Sequence, residues 1–250
     1  MTASSRTLSV ETLNGMVTST IWESPEGRPA VLLAGVNGAA ASWATVVEGV
    51  AGARTLIAID LRGRGLSAME GPWGVAAHAE DVAGVLSTVS AAFGGPVTVV
   101  GHSFGAHVAA CLAVGAPEVV NDLILVDAGP PRRIPADSSA DEVIDGALAN
   151  IIPNLGSLPF PVMIAAVTAD FRSMVVDDEA TALLPHTTQP LHLIRAGHGV
   201  APGLPPIIDE EALVELLGAR QAEVTLVDEA THFSLLGDHA DVVVKALLRP

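Results

Sequence analysis

The sequence predicts an α/β protein with a mostly parallel central sheet and helices on both faces of that sheet. Short, almost wholly apolar runs alternate along the chain with longer helical patterns. Such runs are typical of strands that are covered on both faces, because the connections between parallel strands are helical crossovers. A length of 250 residues suits one domain, or one domain that carries a modest insertion.

The predicted elements follow one another in a regular order. Two alternating segments, 7–13 and 16–22, predict an antiparallel hairpin at one sheet edge, with Asn14-Gly15 as its turn. The buried strands that follow are predicted at 30–34, 55–59, 97–100, 123–126, 191–194 and 224–227. Helices are predicted at about 42–50, 76–92, 103–115, 209–219 and 238–248.

One stretch interrupts this alternation and predicts a small helical lid after the sixth strand. Residues 130–187 contain no clear buried strand, so the core is expected to comprise 1–129 and 188–250. The lid carries apolar residues that fit either a pocket wall or packing of the lid onto the core. They are Ile151, Ile152, Leu155, Leu158, Phe160, Val162, Met163 and Ile164.

Charge and composition exclude several classes of function. The formal net charge is −16, which repels a phosphate backbone and an anionic membrane surface, so the expected partner is a small molecule. Cys111 is the only cysteine, which excludes an intrachain disulfide and a cysteine zinc site. The histidine spacings match no metal motif, and neither a signal peptide nor a membrane span is evident. We therefore expect a soluble cytoplasmic protein without a metal, and the oligomeric state stays open.

The segment Gly101-His102-Ser103-Phe104-Gly105 joins a predicted buried strand to a predicted helix. A G-x-S-x-G pattern is short, and in another setting it would be an ordinary Gly-Ser loop. Between a strand and a helix it predicts a sharp turn that presents Ser103 as a nucleophile. The two glycines would let the strand and the helix approach closely, and the Phe104 amide would face a developing oxyanion. His102 is expected to pack against the turn and not to act as the base.

With this turn the chain resembles the α/β-hydrolase superfamily over nearly its whole length. Further segments that carry the likeness are 31–38, which resembles the oxyanion loop, and 57–67, which contains Asp-Leu-Arg-Gly-Arg-Gly-Leu-Ser. Residues 230–233, Ala-Thr-His-Phe, resemble the histidine loop after the last strand. The resemblance implies that His232 is the general base and that the backbone amides of Val36 and Phe104 form the oxyanion hole, with no cofactor. Asp60 and 62–67 are expected to brace the loops around the site.

The chain departs from the family pattern at two places. Ala34-Gly35 stands where the family commonly has His-Gly, and the loop 195–203 contains no carboxylate although the family usually places its acid there. Some relatives carry the acid after the sixth strand, and the matching residue is Asp127. Asp209 or Glu210 as the acid, or no acid at all, remain alternatives.

The expected function is that of a serine hydrolase acting through an acyl-enzyme on a small or medium apolar ester, lactone or related acyl substrate. A fold does not fix a function. The alternatives are a carbon–carbon bond hydrolase, a cofactor-free oxygenase, a lyase, or a member that binds a ligand without catalysis.

Overall fold

The computed structural model describes residues 4–50, 52–128, 137–176, 184–218 and 220–249, and the side chains of 90–92 are left out of the description. These residues form one sheet of eight strands in the order β1-β2-β4-β3-β5-β6-β7-β8. The strands are β1 (Ser5–Thr12), β2 (Gly15–Trp22), β3 (Ala30–Leu33), β4 (Leu56–Asp60), β5 (Val97–His102), β6 (Val120–Val126), β7 (Leu191–Ala196) and β8 (Glu223–Val227). β3 to β8 run parallel, while β1 and β2 are antiparallel to their neighbours.

Helices cover both faces of the sheet, as the sequence predicts. In the described ranges the α-helices are α1 (Ala44–Val50), α2 (Val75–Phe93), α3 (Phe104–Gly115), α4 (Ala140–Leu155), α5 (Ile164–Val176), α6 (Glu210–Leu217) and α7 (Asp241–Leu247). Side chains of α1 and α7 share one apolar cluster with one face of the sheet. Side chains of α2, α3, α4, α5 and α6 share a second cluster with the other face. Each fully buried aliphatic side chain contributes about 1.5–3 kcal/mol, so these two layers supply most of the stabilising free energy.

The segment predicted as a lid lies between β6 and β7 and contains α4 and α5. Ser139 caps the start of α4 by accepting a hydrogen bond from the Glu142 amide at 3.2 Å. Of the apolar lid residues, Leu155 is buried in the core, and four others pack against it: Ile151, Ile152, Leu158 and Val162. Met163 and Ile164 stay exposed. The division at 130 and 187 stays a prediction, because 129–136 and 177–183 lie outside the described residues.

The structure differs from the sequence prediction at both edges of the sheet. In the hairpin, Thr12 pairs with Gly15, so the turn residues are Leu13 and Asn14, one position earlier than predicted. The Thr12 hydroxyl donates to the Gly15 carbonyl at 2.8 Å, and Gly15 takes a φ of 130° that suits glycine. At the other edge, β8 is not buried on both faces.

Within the described residues, no helix combines the length and apolar character that crossing a bilayer requires.

Candidate active site

Ser103 occupies the turn between β5 and α3 and has a φ of 53°. A positive φ is strained for a residue with a Cβ atom and costs about 1–3 kcal/mol. Its amide donates to the carbonyl of Val126 on β6 at 3.0 Å. The chain therefore holds the serine in a high-energy conformation, as the sequence predicts for this turn.

The two glycines of the turn permit a backbone approach that no side chain would allow. A Cβ atom on Gly105 would lie 2.1 Å from the Leu33 carbonyl oxygen. A Cβ atom on Gly101 would lie 2.4 Å from the Gly105 carbonyl oxygen. The start of α3 thus packs directly on β3 and β5, which confirms the close approach predicted from the glycine positions.

Asp127 follows β6 directly and is fully buried, with a φ of 48°. Its amide donates to the Ile194 carbonyl on β7 at 2.7 Å. Its Oδ1 accepts the amide of Ala196 at 3.0 Å. These two bonds tie the residue to the end of β7 and fix the direction of its carboxylate.

His232 lies in the loop after β8, and its Nδ1 is 2.7 Å from Asp127 Oδ2. The carboxylate oxygen is an acceptor, so it selects the tautomer with the proton on Nδ1 and leaves Nε2 as a free base. The His232 amide donates to the Gly199 carbonyl at 2.9 Å, which anchors the loop. In the described part of the chain no hydrogen bond joins Ser103 to His232; a proton transfer between them would need the side chains to approach further.

His102 connects the serine turn to the histidine loop. It is buried, its Nε2 lies 3.0 Å from the His232 carbonyl oxygen, and the two imidazole rings are 4.6 Å apart. Burial, helped by the neighbouring His232, lowers the pKa of His102 to about 3. The neutral ring therefore donates to that carbonyl at neutral pH, which places His102 in the packing role expected from the sequence.

The predicted oxyanion loop passes beside Ser103. A Cβ atom on Gly35 would lie 3.3 Å from the Ser103 Cβ. The Gly35 carbonyl accepts the Gly38 amide at 2.9 Å, while the Val36 amide has no hydrogen-bond partner among the described residues. Phe104 is the first residue of α3, where an amide has no partner inside its own helix. Two backbone donors are thus available near the serine.

The other carboxylates considered from the sequence are engaged elsewhere. Asp209 caps α6 by accepting the Ala212 amide at 2.7 Å, and Glu210 forms an ion pair with Arg195. The loop after β7 also leaves no room for a side chain at its first position. A Cβ atom on Gly197 would lie 2.2 Å from the Asp228 carbonyl oxygen.

Asp60 braces two loops near the site. Its two carboxylate oxygens accept the amides of Ala40 at 2.7 Å and Leu66 at 2.8 Å. Burial raises the pKa of Asp60, although both amide bonds oppose the rise. A Cβ atom on Gly65 would lie 2.2 Å from this carboxyl group, which explains the glycine there. These contacts agree with the bracing role that the sequence suggests for Asp60.

Two buried ion pairs near these loops are not evident from the sequence. Arg62 pairs with Asp81 and Arg64 pairs with Asp170. In each pair one partner lies in the segment 62–67, and the other lies on a helix outside it, α2 for Asp81 and α5 for Asp170. Over the described ranges, no group of histidine, cysteine, aspartate and glutamate side chains is arranged to hold a metal ion.

A comparison with family models matches residues 30–246 to the "Alpha/beta hydrolase family". This chain belongs to that family. The match covers most of the chain, including the serine turn, Asp127 and His232.

Partial similarity links this alpha/beta hydrolase to two curated relatives. It is 39% identical over 95 residues to Lipase LipV of Mycobacterium tuberculosis, covering 38% of this chain and 34% of LipV. It is 35% identical over 102 residues to the putative carbamate hydrolase RutD of Azorhizobium caulinodans, covering 40% of this chain and 37% of RutD. The chain thus spans about a third of the length of these relatives.

Among solved structures, the N-formylmaleamic acid deformylase from Pseudomonas putida S16 resembles this alpha/beta hydrolase over nearly its full length. Its TM-score is 0.73 at 25% identity, covering 96% of this chain and 100% of that one.

Proposed function

We propose that this protein is a serine hydrolase that cleaves a small or medium apolar ester, lactone or related acyl substrate through an acyl-enzyme at Ser103. The hydrogen bond of 2.7 Å between Asp127 Oδ2 and His232 Nδ1 is the observation that carries the proposal. An aspartate bound to the inner nitrogen of a histidine, beside a serine on a strained turn, is the arrangement that activates a hydroxyl group.

In the first half of the reaction His232 Nε2 takes the proton of the Ser103 hydroxyl while Oγ bonds to the carbonyl carbon. The carbonyl electron pair moves to oxygen, and the amides of Val36 and Phe104 donate to that oxyanion. The tetrahedral intermediate then collapses. The bond to the leaving group breaks, and His232 gives the leaving group its proton.

In the second half water attacks the acyl-enzyme and passes its proton to His232. The second intermediate collapses and His232 returns that proton to Ser103 Oγ, which releases the carboxylic acid. Asp127 keeps the imidazole in one tautomer and stabilises the imidazolium in both halves. The buried, neutral His102 beside His232 adds no competing positive charge when the imidazolium forms.

Three features support acyl chemistry in particular. The Val36 amide is unpaired among the described residues, and the Phe104 amide heads a helix, so both fit an oxyanion. Phe233, half exposed, places its ring 5.0 Å from that of His232 and offers an apolar surface beside the base. The relatives are named as a lipase, a putative carbamate hydrolase and a deformylase, which all cleave an acyl group from oxygen or nitrogen.

The test is covalent labelling of Ser103 with a fluorophosphonate probe, followed by a p-nitrophenyl ester series of increasing chain length. We expect labelling of the wild type at Ser103 and turnover of the short and medium esters. Ser103→Ala should abolish labelling and lower kcat by at least about 10³-fold. Ser9→Ala, which changes an exposed serine on β1, is the matched control and should retain both.

A wild type that neither labels nor hydrolyses any ester would contradict the proposal. Carbamate and N-formyl amide substrates belong in the same screen, because RutD and the deformylase are relatives with those printed names. Turnover of these substrates without ester turnover would keep Ser103 as nucleophile and move the substrate class from esters to amides.

A further inference from the structure

A fully buried ion pair joins the lid to the loop after β4. Asp170 lies on lid helix α5, and its carboxylate pairs with the guanidinium of Arg64. The same carboxylate lies 3.0 and 3.1 Å from Nε2 of His78 and accepts the amide of Gly74 at 2.7 Å. Asp170 thus binds both the loop after β4 and the start of α2. We call Arg64, His78 and Asp170 the lid cluster.

The lid cluster also contacts both residues whose amides are proposed as oxyanion donors. Arg64 Nη2 donates to the Val36 carbonyl at 2.9 Å. The Arg64 guanidinium carbon lies 5.9 Å from the centre of the Phe104 ring, and the His78 ring packs edge-on against that ring at 5.6 Å. A chain of direct contacts therefore runs from α5 to the two donor residues.

The hydrogen bond from Arg64 to the Val36 carbonyl holds the oxyanion loop next to Gly35. The Val36 amide shares a peptide plane with the Gly35 carbonyl, which accepts the Gly38 amide at 2.9 Å. The next peptide plane contains the Val36 carbonyl, which Arg64 holds. Because a glycine backbone can adopt more conformations than that of other residues, these two bonds restrict the direction of the Val36 amide.

The charges of the lid cluster balance in the interior. Burial lowers the pKa of His78 in spite of the neighbouring Asp170. Burial alone would raise the pKa of Asp170, but His78 and Arg64 together hold it below its ordinary value. At neutral pH the cluster thus consists of a neutral imidazole, one carboxylate and one guanidinium. Removal of either ion would leave the other uncompensated.

We propose that Asp170 and Arg64 are positioning residues for the oxyanion hole, so that the seating of lid helix α5 sets the orientation of the Val36 amide and the placement of Phe104. This inference rests on the proposed function and extends it, because the seating of α5 then governs the rate of the chemical step.

The chain supplies a matched control in a second buried ion pair. Arg62, two residues before Arg64, pairs with Asp81 at 2.6 Å, and both are buried. Its other donors reach the carbonyls of Glu70 and Pro72, and Asp81 accepts the Thr12 hydroxyl. None of these contacts involves Val36 or Phe104. Arg64 Nη1 donates to the Arg62 backbone carbonyl at 3.0 Å, but this bond does not involve the side chains of Arg62 and Asp81. Asp81→Asn therefore breaks a similar ion pair whose side chains have no hydrogen bond or ring contact with Val36 or Phe104 in the described part of the chain.

The experiment compares Asp170→Asn, Arg64→Lys and Asp81→Asn by steady-state hydrolysis of the best p-nitrophenyl ester, with rates expressed per folded molecule. Misplacing one donor should lower kcat about 10- to 100-fold in Asp170→Asn while KM stays within about threefold of the wild type. Arg64→Lys keeps the positive charge but loses the planar set of guanidinium donors. It should also lower kcat while KM stays nearly unchanged. The double variant should be no slower than the slower single variant, because both act through one contact. Asp81→Asn should keep kcat within about twofold.

A second readout follows the loop itself by amide hydrogen exchange in the peptide that contains Gly38. Exchange there should accelerate in Asp170→Asn and stay unchanged in Asp81→Asn. This readout also separates the two proposals. A wild type that neither labels at Ser103 nor hydrolyses any acyl substrate rejects the proposed function, whereas the exchange rates still decide whether the lid cluster orients the loop.

Unchanged kcat and exchange in Asp170→Asn, or an equal loss of kcat in Asp81→Asn, would overturn the inference. If neither ion-pair variant folds, Ser173→Ala provides a milder change. The Ser173 hydroxyl donates to the Asp170 carbonyl at 2.8 Å and accepts the Val75 amide at 3.2 Å, so it helps to seat this turn of α5. Its kcat must then fall further than that of Asp81→Asn, and an unchanged kcat rejects the inference.

Discussion

The polar residues at the two ends of the parallel strands differ in what they do for the structure. At the carboxyl ends, Ser103 and Asp127 both adopt a positive φ, and the Asp127 carboxylate is bound to His232. At the amino ends lies a cleft of about 560 Å³ in which Arg54 donates to the carbonyls of Arg28 and Leu247 and to the Thr98 hydroxyl. Arg54 uses its donors to hold the structure together, whereas the carboxyl ends hold two residues in strained backbone conformations.

Along the same six strands, residues that stabilise the fold thus lie at the amino ends, and the proposed reacting residues lie at the carboxyl ends. Substitutions at the carboxyl ends should change kcat more than the free energy of unfolding, and substitutions at the amino ends should do the reverse. Strain at functional positions is maintained by the surrounding structure, so relieving it should stabilise the protein and inactivate it. The following substitutions test this separation.

The largest expected effect is that of Asp127→Asn. An amide at this position no longer selects the tautomer of His232 with a free Nε2, so kcat should fall by about 10³- to 10⁴-fold. Asp209→Asn is the matched control, because Asp209 caps α6 and contacts neither Ser103 nor His232 in the described structure. Steady-state kinetics on the same ester checks both. Equal losses in the two variants would remove Asp127 from the proposed triad.

At the opposite ends of the strands, Arg54→Met should lower the free energy of unfolding by about 2–4 kcal/mol, since buried carbonyls lose a charged donor. Urea denaturation measures the change. The value of kcat per folded molecule should stay within about twofold of the wild type. Arg28→Gln changes the exposed neighbour and should cost well under 1 kcal/mol, about the value of a surface contact. A large loss of kcat in Arg54→Met would show that the two ends are coupled.

His107→Gln tests how a buried histidine on α3, the helix after the serine, makes the free energy of unfolding depend on pH. Burial lowers the pKa of His107 from 6.5 to about 4. Between these two pH values the unfolded state binds a proton at this residue and the folded state does not. Stability is therefore lost as the pH falls from 6.5 toward 4. Between pH 7.5 and 5.5 this residue should account for about 1.4 kcal/mol of the loss.

Urea denaturation at the two pH values should show that His107→Gln reduces the loss by this amount. The exposed His186→Gln should leave the loss unchanged. Equal pH dependence in His107→Gln and the wild type would mean that His107 titrates normally.

The smallest expected effect is a gain of about 0.5–1 kcal/mol in the free energy of unfolding in Ser103→Gly, because glycine accepts a φ of 53° without strain. Ser103→Ala is the control, since it also lacks the hydroxyl but keeps the Cβ atom and the strain. Both variants should be inactive. A gain of the same size in both would attribute the effect to the hydroxyl and not to the backbone.

Much of the central sheet could be predicted because strands covered on both faces contain almost no polar residues. For β8 the apolar run predicted the strand but wrongly predicted that it is buried on both faces. Val224 and Leu226 are exposed at 37% and 44%, because β8 lies at the sheet edge. An apolar run alone does not distinguish an edge strand from a central one. The hairpin turn also lies one residue earlier than the Asn-Gly pattern predicts, because Gly15 pairs with Thr12 as the first residue of β2.

In the candidate site, the sequence places Asp127 at the carboxyl end of β6, which is adjacent to the serine strand, and the structure brings it to His232. This prediction rested on the resemblance to relatives that carry the acid after the sixth strand, and it agrees with the rule that the ends of neighbouring parallel strands meet. The pairing of Arg64 with Asp170 was not predictable in the same way. The two residues are 106 positions apart, and no local pattern indicates which lid carboxylate would meet which arginine.

The bonds from Asp127 to β7 have a further consequence for how the protein can change. The proposed acid is carried by β6, so the loop after β7 holds no carboxylate, and its residues 200–204 are all exposed. A tight turn closes this segment, with the Gly199 amide bound to the Leu204 carbonyl at 3.0 Å. Because the His232 amide is bound to the Gly199 carbonyl, residues 200–204 follow directly on a contact with the histidine loop. We expect exchanges in this exposed segment to change the surroundings of His232 while the proposed reacting groups keep their positions.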